Sequence, residues 1–590
     1  MIKKVYNSCM DEEGLKSAAN RPLRAILKHL GGWPVIQVRR WNSAKFDWID
    51  TLIKIRNLGY NHDIFISLSV TMDNENNTAN IIKLGKPSFG MDSRYLLRGV
   101  TDKSVRDYVL SMEKSADELG AYNLPKSPIY KAFEFEVMLA NISLQNEKEN
   151  VSIINRKYTV KDLKTLVPQI NWDKYFNGLL SNGVSDNDIV LVEDLTFIEN
   201  VAHFIIKTHK RVLANYMIWR VIDQSMSFMS KRWRSLKYSP RHSLETKRWE
   251  VCLSFIRDNL GIALSSYYVR NYVQEENYDT VQEYVDYIRE NFVRILENTE
   301  WMDDDTKEIA KAKVKSITSH IGYAKELLNA SYISDLYKNL NIDNTSYFDI
   351  RRKIFKWSTD YSFSLLRKPN MKGRWNKHSR TTVIQAFYDE RQNSIGIPTG
   401  VLQAPIFYNN RPHYLNFGSL GYIIGHEITH AFDNRGRIFD KDGNSRNWWS
   451  TTEEQAFNSR AECFIEQYDN YTAENGMQVK GMNTQDENIA DGIALKAAYL
   501  AYQSWVKDHK REQKLPGLDY TPNQLFWIQA ANIWCEKLQP ETLRNIITYA
   551  PYSPSKFRVI GPMSNLPEFA KDFQCNVTSE MVRKNKCQVW

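Results

Sequence analysis

No window of this chain approaches the roughly 18 uninterrupted apolar residues of a membrane-spanning helix, so no such helix is encoded. The opening Met1-Ile2-Lys3-Lys4-Val5-Tyr6 is not followed by an apolar run of the signal-peptide kind. The first half holds no internal repeat and no low-complexity tract. Charge of one sign is not gathered into a block either. The net +9 is modest for 590 residues, and short basic runs such as Lys231-Arg232-Trp233-Arg234 and Arg351-Arg352-Lys353 read as solvated helix faces, not as a nucleic-acid groove. What the chain does have is length and apolar content. With 42% hydrophobic residues it can bury large cores, and two domains are expected.

Chemistry concentrates in Gly425-His426-Glu427-Ile428-Thr429-His430-Ala431-Phe432-Asp433, inside an apolar run that begins at Leu420. On a helix His426 and His430 stand one turn apart on one face, so both imidazoles can reach one metal ion, with Glu427 beside them to take a proton from a bound water. Tyr422, Ile423, Ile424 and Ile428 mark that helix as largely buried, where two histidines and a carboxylate are costly unless something pairs with them. The competing reading is a buried helix with two satisfied core histidines. A third ligand decides the class. A third His on the same segment would need Gly at position 433 and His at position 436, where Asp433 and Gly436 stand, so the ligand must come from elsewhere. The best candidate is Glu487 in Asp486-Glu487-Asn488-Ile489-Ala490-Asp491, which leads into a helix-like run from Ala494 to Trp505. Glu487 and Asp491 are spaced i, i+4, so the first can bind the metal while the second accepts the far N–H of a ligating His. Such a pair otherwise reads as a solvated face, but Ile489, Ala490 and Ile493 argue for burial.

The first half reads as helix. Thr101 to Glu118, Pro128 to Glu147 and Asp194 to Met229 show apolar residues at three and four spacing, and Thr280-Val281-Gln282-Glu283 has the form of a capping box. Behind it Tyr284, Val285, Ile288, Phe292, Ile295 and Leu296 trace one apolar stripe. After Pro369 the texture changes: Thr381 to Tyr388 and Asn393 to Pro398 read as two short strands around the polar turn Asp389 to Gln392.

His-Glu-Ile-Thr-His with a downstream Glu-Asn-Ile-Ala-Asp, the Ser-Pro-x-Lys-Phe-Arg within Ala550 to Val559, and the terminal Cys587-Gln588-Val589-Trp590 resemble the neprilysin and endothelin-converting-enzyme family of zinc endopeptidases. The likeness covers nearly the whole chain, including Tyr6-Asn7-Ser8-Cys9, Gly31-Gly32-Trp33-Pro34, Trp301-Met302-Asp303 and Pro398-x-Gly400-x-Leu402-Gln403. It implies a mainly α fold with a small β-sheet: a thermolysin-like zinc peptidase domain, expected over 356–590, capped by a large helical domain, expected over 1–355 with room for some of its segments to pack with the catalytic domain, around a central cavity that admits peptides. One zinc ion per chain would be held by His426, His430 and Glu487, and zinc-bound water would attack the peptide carbonyl with Glu427 as general base. Asp491 would orient one ligating His, and Asp433 is a second candidate for that task.

Three departures from the family pattern stand out. Tyr552 occupies the place of a His that donates to the oxyanion, with Ala550 where the family has Asp; a phenol is a good neutral donor and can substitute. Gln385, beside Ala386 on the expected edge strand along which a peptide would add, replaces an Asn. Gly492-Ile493-Ala494 replaces x-Gly-Gly and would shift the backbone behind the zinc ligand. Arg558 matches the family Arg that binds a substrate carbonyl. The pocket for the side chain after the scissile bond would be lined by Phe407, Ile423, Ile533 and Trp534, favouring an apolar or aromatic residue there.

Six cysteines, at positions 9, 252, 463, 535, 575 and 587, and seven acceptor sequons, at Asn76, Asn141, Asn150, Asn329, Asn344, Asn470 and Asn576, favour the secretory route over a cytosolic protein with reduced core thiols. By resemblance Cys9 would pair with Cys252 and Cys463 with Cys587. The family partners of Cys535 and Cys575 lie upstream of Met1, so a preceding segment bearing an anchor or signal is expected, and the protein would be secreted or displayed outside the cell, as a monomer or disulfide-linked dimer. The expected activity is cleavage of small extracellular peptides on the amino side of hydrophobic residues. Two other readings stay open: a zinc-binding homologue that holds peptides without efficient turnover, and a helical structural protein with an incidental motif; a metalloenzyme acting on another bond is disfavoured, because an edge strand beside the zinc helix suits an extended peptide.

Overall fold

The computed structural model describes residues 1–145, 156–238, 247–273, 278–343, 345–370 and 381–590. Two compact units share the chain, each assembled from several segments. The first comprises Met1–Asp73, Thr78–Gly261 and Ile333–Asn370; the second comprises Asn74–Asn77, Ile262–Tyr332 and Met371–Trp590. The chain is therefore not divided by one cut near residue 355. Residues 262–332 belong with the histidine motif because the stripe Val281, Tyr284, Val285, Ile288, Phe292 and Leu296 on helix Tyr278–Glu297 joins the core that holds Ile424, Ile428 and Ala494. No helix among the described residues is long and apolar enough to cross a membrane.

The first unit is mainly helical. Of the expected helices, Lys103–Ala116 and Ser127–Leu144 form as read, the last two residues of the second expectation lying outside the described residues. Asp194 to Met229 splits into Leu195–Lys207 and Lys210–Met226, because the His209 side chain accepts the Arg211 N–H and starts a new helix. A four-stranded sheet accompanies them, with β1 (Ser67–Met72), β2 (Asn80–Gly85), β3 (Arg156–Thr159) and β4 (Ile189–Val192) in the order β1-β2-β4-β3. Arg351 is not on a solvated face: its guanidinium lies 4.2 Å from the Phe255 ring centre and 4.6 Å from that of Phe228. Cys9 and Cys252 are bridged within this unit.

In the second unit helix Tyr278–Glu297 starts before Thr280, so Thr280 sits in the first turn and is not the cap. The sheet here has three strands, β5 (Thr318–Gly322), β6 (Phe387–Asp389) and β7 (Ser394–Pro398), ordered β5-β7-β6. β6 is an edge strand, yet much shorter than the eight residues expected. Its register pairs Phe387 with Gly396, which sets Pro398 opposite Gln385, and Pro398 has no N–H to continue the ladder. The chain before β6 instead crosses close above Gly400, whose N–H donates to the Thr381 carbonyl and where a Cβ would meet the Val383 oxygen at 2.3 Å. Cys463 and Cys587 are bridged in this unit, while Cys535 and Cys575 are free. Asn76, Asn141, Asn329, Asn470 and Asn576 are exposed; Asn150 and Asn344 lie outside the described residues.

Candidate active site

Helix Tyr422–Thr429 carries His426 and Glu427, and His430 caps its end. It lies directly against the helix Gly481–Asp508, which carries Glu487 in its second turn and Asp491 one turn later. The close approach depends on Gly425, where a Cβ would stand 2.9 Å from the Ala494 carbonyl oxygen and 3.0 Å from its Cα. The long helix runs unbroken through Gly492-Ile493-Ala494, so the departure there shifts no turn behind Glu487.

The packing gathers three donor atoms. His426 Nε2 lies 3.0 Å from Glu487 Oε2 and 3.0 Å from His430 Nε2, and His430 Nε2 lies 3.6 Å from Glu487 Oε2. Three corners of a zinc tetrahedron with bonds of about 2.0–2.1 Å are spaced by about 3.3 Å, which these separations bracket. This is the only such donor group among the described residues. The outward nitrogens are fixed as well. His426 Nδ1 pairs with Asp491 Oδ1 at 2.9 Å and His430 Nδ1 with Asp433 Oδ2 at 2.6 Å. With each Nδ1–H donating to a carboxylate, both Nε2 lone pairs face the common point. Two nitrogens and one carboxylate oxygen, each ring oriented from behind, are the chemistry of a zinc site, and the residues fit the metal.

The carboxylates are sorted by their surroundings. Burial would raise Glu487, but the His426 and His430 hydrogen bonds outweigh it and hold the carboxyl far below its usual range. Asp491 is likewise buried yet held down, chiefly by Arg558, which donates to both its oxygens at 2.7 Å. Glu427 makes no such pair among the described residues: burial first, then the Glu487 charge, push it upward against the pull of the two imidazoles. A carboxylate raised in this way is suited to accept a proton and return it.

Two cavities meet at Glu427 and Tyr552. The first, about 390 Å³, has apolar walls that include Val401, Ile406, Ile423, Ile533 and Trp534, with Arg558 at its polar end. The second, about 350 Å³, is polar and borders His430, Glu487, Asp486 and Glu390. Gln385 and Ala386 line both. Phe407 does not: it is buried in the core, and its neighbour Ile406 faces the cavity in its place. Arg558 is pressed against the Trp534 ring at 3.9 Å and lies 4.9 Å from the Tyr552 ring centre. Ser553 donates to Asn488 at 2.8 Å and so ties the Tyr552 loop to the turn bearing Glu487. Val401 and Ile406 escaped the sequence reading, although Val401 lies inside the Pro398 to Gln403 segment that carries the resemblance and Ile406 three residues beyond it.

Comparison with known proteins completes the picture. The two models of Peptidase family M13 match residues 1–324 and 385–589. Neprilysin-2 of Drosophila melanogaster is 39% identical over 609 residues, covering 99% of this chain and 79% of its own. Endothelin-converting enzyme 1 of Homo sapiens is 34% identical over 598 residues, covering 99% of this chain and 76% of its own. Among solved structures, the Mycobacterium tuberculosis zinc metalloprotease Zmp1 in complex with inhibitor has a TM-score of 0.86 at 21% identity, covering 99% of this chain and 88% of that one. PepO from Lactobacillus rhamnosis has a TM-score of 0.81 at 20% identity, covering 99% and 89%. With family models matched over 1–324 and 385–589 and a sequence relationship over 99% of its length, the chain belongs to peptidase family M13, the neprilysin and endothelin-converting-enzyme family of zinc metalloendopeptidases.

Proposed function

We propose that this endopeptidase cuts small extracellular peptides on the amino side of a hydrophobic residue, with Glu427 as general base. The observation that carries the reading is the donor triangle of His426, His430 and Glu487 beside a buried Glu427 that lines an apolar cavity. Zinc bound by the three ligands supplies Lewis acidity toward water and the peptide carbonyl. Glu427 accepts the proton of the attacking water and returns it to the leaving amine. Tyr552 donates to the oxygen that gains charge, and Arg558, held flat by Asp491 and Trp534, binds a carbonyl of the substrate. The walls of Val401, Ile406, Ile423, Ile533 and Trp534 take the side chain after the scissile bond. Gln385 and Ala386 lie where an extended peptide would continue from the β6 edge through both cavities. Two disulfides support a location in the secretory lumen or outside the cell.

The test is cleavage of a quenched short peptide carrying Phe or Leu after the scissile bond, with wild type, chelator-treated protein and Glu427→Gln side by side. Turnover that requires metal and falls by about 10²-fold to 10⁴-fold in Glu427→Gln, with zinc retained, is expected. Zinc-loaded wild type that cuts no faster than Glu427→Gln would sink the reading.

A further inference from the structure

Lys313 occupies a position where an aliphatic residue would be expected. On helix Asp304–Lys315 it shares the inner face with Ala310 and Val314, at i+3 and i+4, and all three are 0% exposed. Its neighbours Lys311 and Lys315 point away, Lys311 pairing with Glu297 and Glu308 at the surface. A buried cation is costly unless it is fully hydrogen-bonded, and no carboxylate among the described residues forms an ion pair with it. Instead Nζ donates to three main-chain carbonyls: Ala431 at 2.7 Å, Gly436 at 2.7 Å and Phe439 at 2.6 Å. The Phe432 ring, 5.4 Å away, adds its face. Burial pushes Lys313 down to about 7 against the carboxylates of Asp433, Asp440 and Glu390, and a neutral amine would bring only two N–H bonds to three carbonyls.

Those carbonyls belong to the turn that follows His430. Ala431 precedes Asp433 and Gly436 follows it, so the ammonium clamps the turn on both sides of the carboxylate that holds His430 Nδ1. Within the turn Asp433 Oδ1 accepts the N–H groups of Arg435 at 2.9 Å and Gly436 at 2.7 Å, leaving Oδ2 for the imidazole. Gly436 packs so tightly there that a Cβ would meet the His430 carbonyl oxygen at 1.8 Å. Lys313 is itself anchored. Asn393, at the left-handed φ of 46°, holds its two Nδ2–H donors within reach of three acceptors, the Lys313 carbonyl at 3.0 Å, the Ser316 hydroxyl at 3.1 Å and the Lys441 carbonyl at 3.1 Å. Tyr388 of β6 donates to Asn393 Oδ1 at 2.8 Å. A continuous set of hydrogen bonds thus runs from the edge strand through Asn393 and Lys313 to Asp433 and His430.

We propose that Lys313 is a positioning residue, which fixes the His430 imidazole through the Asp433 turn and thereby sets metal affinity and turnover. The inference rests on His430 being a zinc ligand. Lys313→Met keeps the stem length and removes the donors. In the full chain it is expected to weaken metal binding ten- to a hundred-fold in competition with a chromophoric chelator, the range usual for partners behind a metal ligand. It is also expected to lower kcat with KM within about two-fold and to shift the visible spectrum of the cobalt-substituted protein. Asp433→Asn should reproduce these changes, and the double variant should lose little beyond the larger single effect. A folded Lys313→Met with wild-type metal affinity and cobalt spectrum, or losses that add in full with Asp433→Asn, would overturn the proposal. If Lys313→Met does not fold, Asn393→Gly keeps the backbone unstrained and removes the clamp on Lys313; a several-fold loss of metal affinity supports the proposal and an unchanged affinity overturns it. Wild-type protein without stoichiometric zinc would instead sink the metal reading itself.

Discussion

Tyr552 stands where the two cavities meet, beside Glu427 in the wall of each. Burial, reinforced by the Glu487 and Glu427 carboxylates and opposed by Arg558, pushes its phenol up to about 12. The phenol therefore keeps its proton across the neutral range and stays available there as a donor. Tyr552→Phe is expected to lower kcat by about 10²-fold to 10³-fold with little change in KM, the size of effect seen when one oxyanion donor is removed. Tyr552→His restores a donor with an ordinary pKa near 6.5, so its kcat should decline as pH rises through about 6.5 and the cationic form is lost, a limb absent from wild type between pH 6 and 9. If Tyr552→Phe turns over as fast as wild type, the phenol does not touch the developing charge. At this scale the pairs His426 with His430 and Glu487 with Asp491 were each legible, because a spacing of i, i+4 puts both members on one helical face; that the two pairs meet was implied by the family resemblance, not by spacing. The sequence was silent on Lys313, since a lysine in a helix flanked by two surface lysines reads as surface.

Between elements, the site depends on how closely helix Tyr422–Thr429 lies on helix Gly481–Asp508. His426 and Glu487 come from different helices, and the contact at Gly425 sets their separation. Gly425→Ala is expected to push the helices apart, costing about 1–3 kcal/mol of stability as overpacked cores do, and to loosen zinc binding with it. Hydrogen exchange across the second unit and zinc stoichiometry check this; a variant with wild-type protection and zinc binding would show that the contact at Gly425 does not set the ligand separation. Both helices were legible from their apolar patterns. β6 was legible as an edge strand but not in its length, because the length is set by Pro398 falling opposite Gln385, a register that only pairing reveals. The choice between Phe407 and Ile406 was not legible either: outside regular structure no period fixes which side chain faces a cavity.

At the scale of the molecule, the division of the chain was the least legible feature. Segment 262–332 joins the catalytic unit through the parallel pairing of β5 with β7 and through the stripe of helix Tyr278–Glu297, and such long-range contacts leave no mark in local composition. The disulfides respect the division, Cys9–Cys252 lying within the first unit and Cys463–Cys587 within the second. The second closes a separation of 124 residues and anchors Cys587 three positions before Trp590, whose ring packs 5.0 Å from Trp301, 5.8 Å from Trp449 and 5.9 Å from Phe432. Phe432 is two residues past His430, so this cluster backs the metal turn. Replacing Cys463 and Cys587 by Ser is therefore expected to cost the catalytic unit about 2–5 kcal/mol and to weaken zinc retention. Replacing Cys9 and Cys252 should lower the protection of the first unit and leave zinc binding intact. Hydrogen exchange mapped by segment separates the two outcomes, since one overall melting temperature is not defined for a chain of two units. Loss of protection that appears first in Met1–Asp73 after removal of Cys463–Cys587 would show that the bridge does not stabilise the unit that contains it.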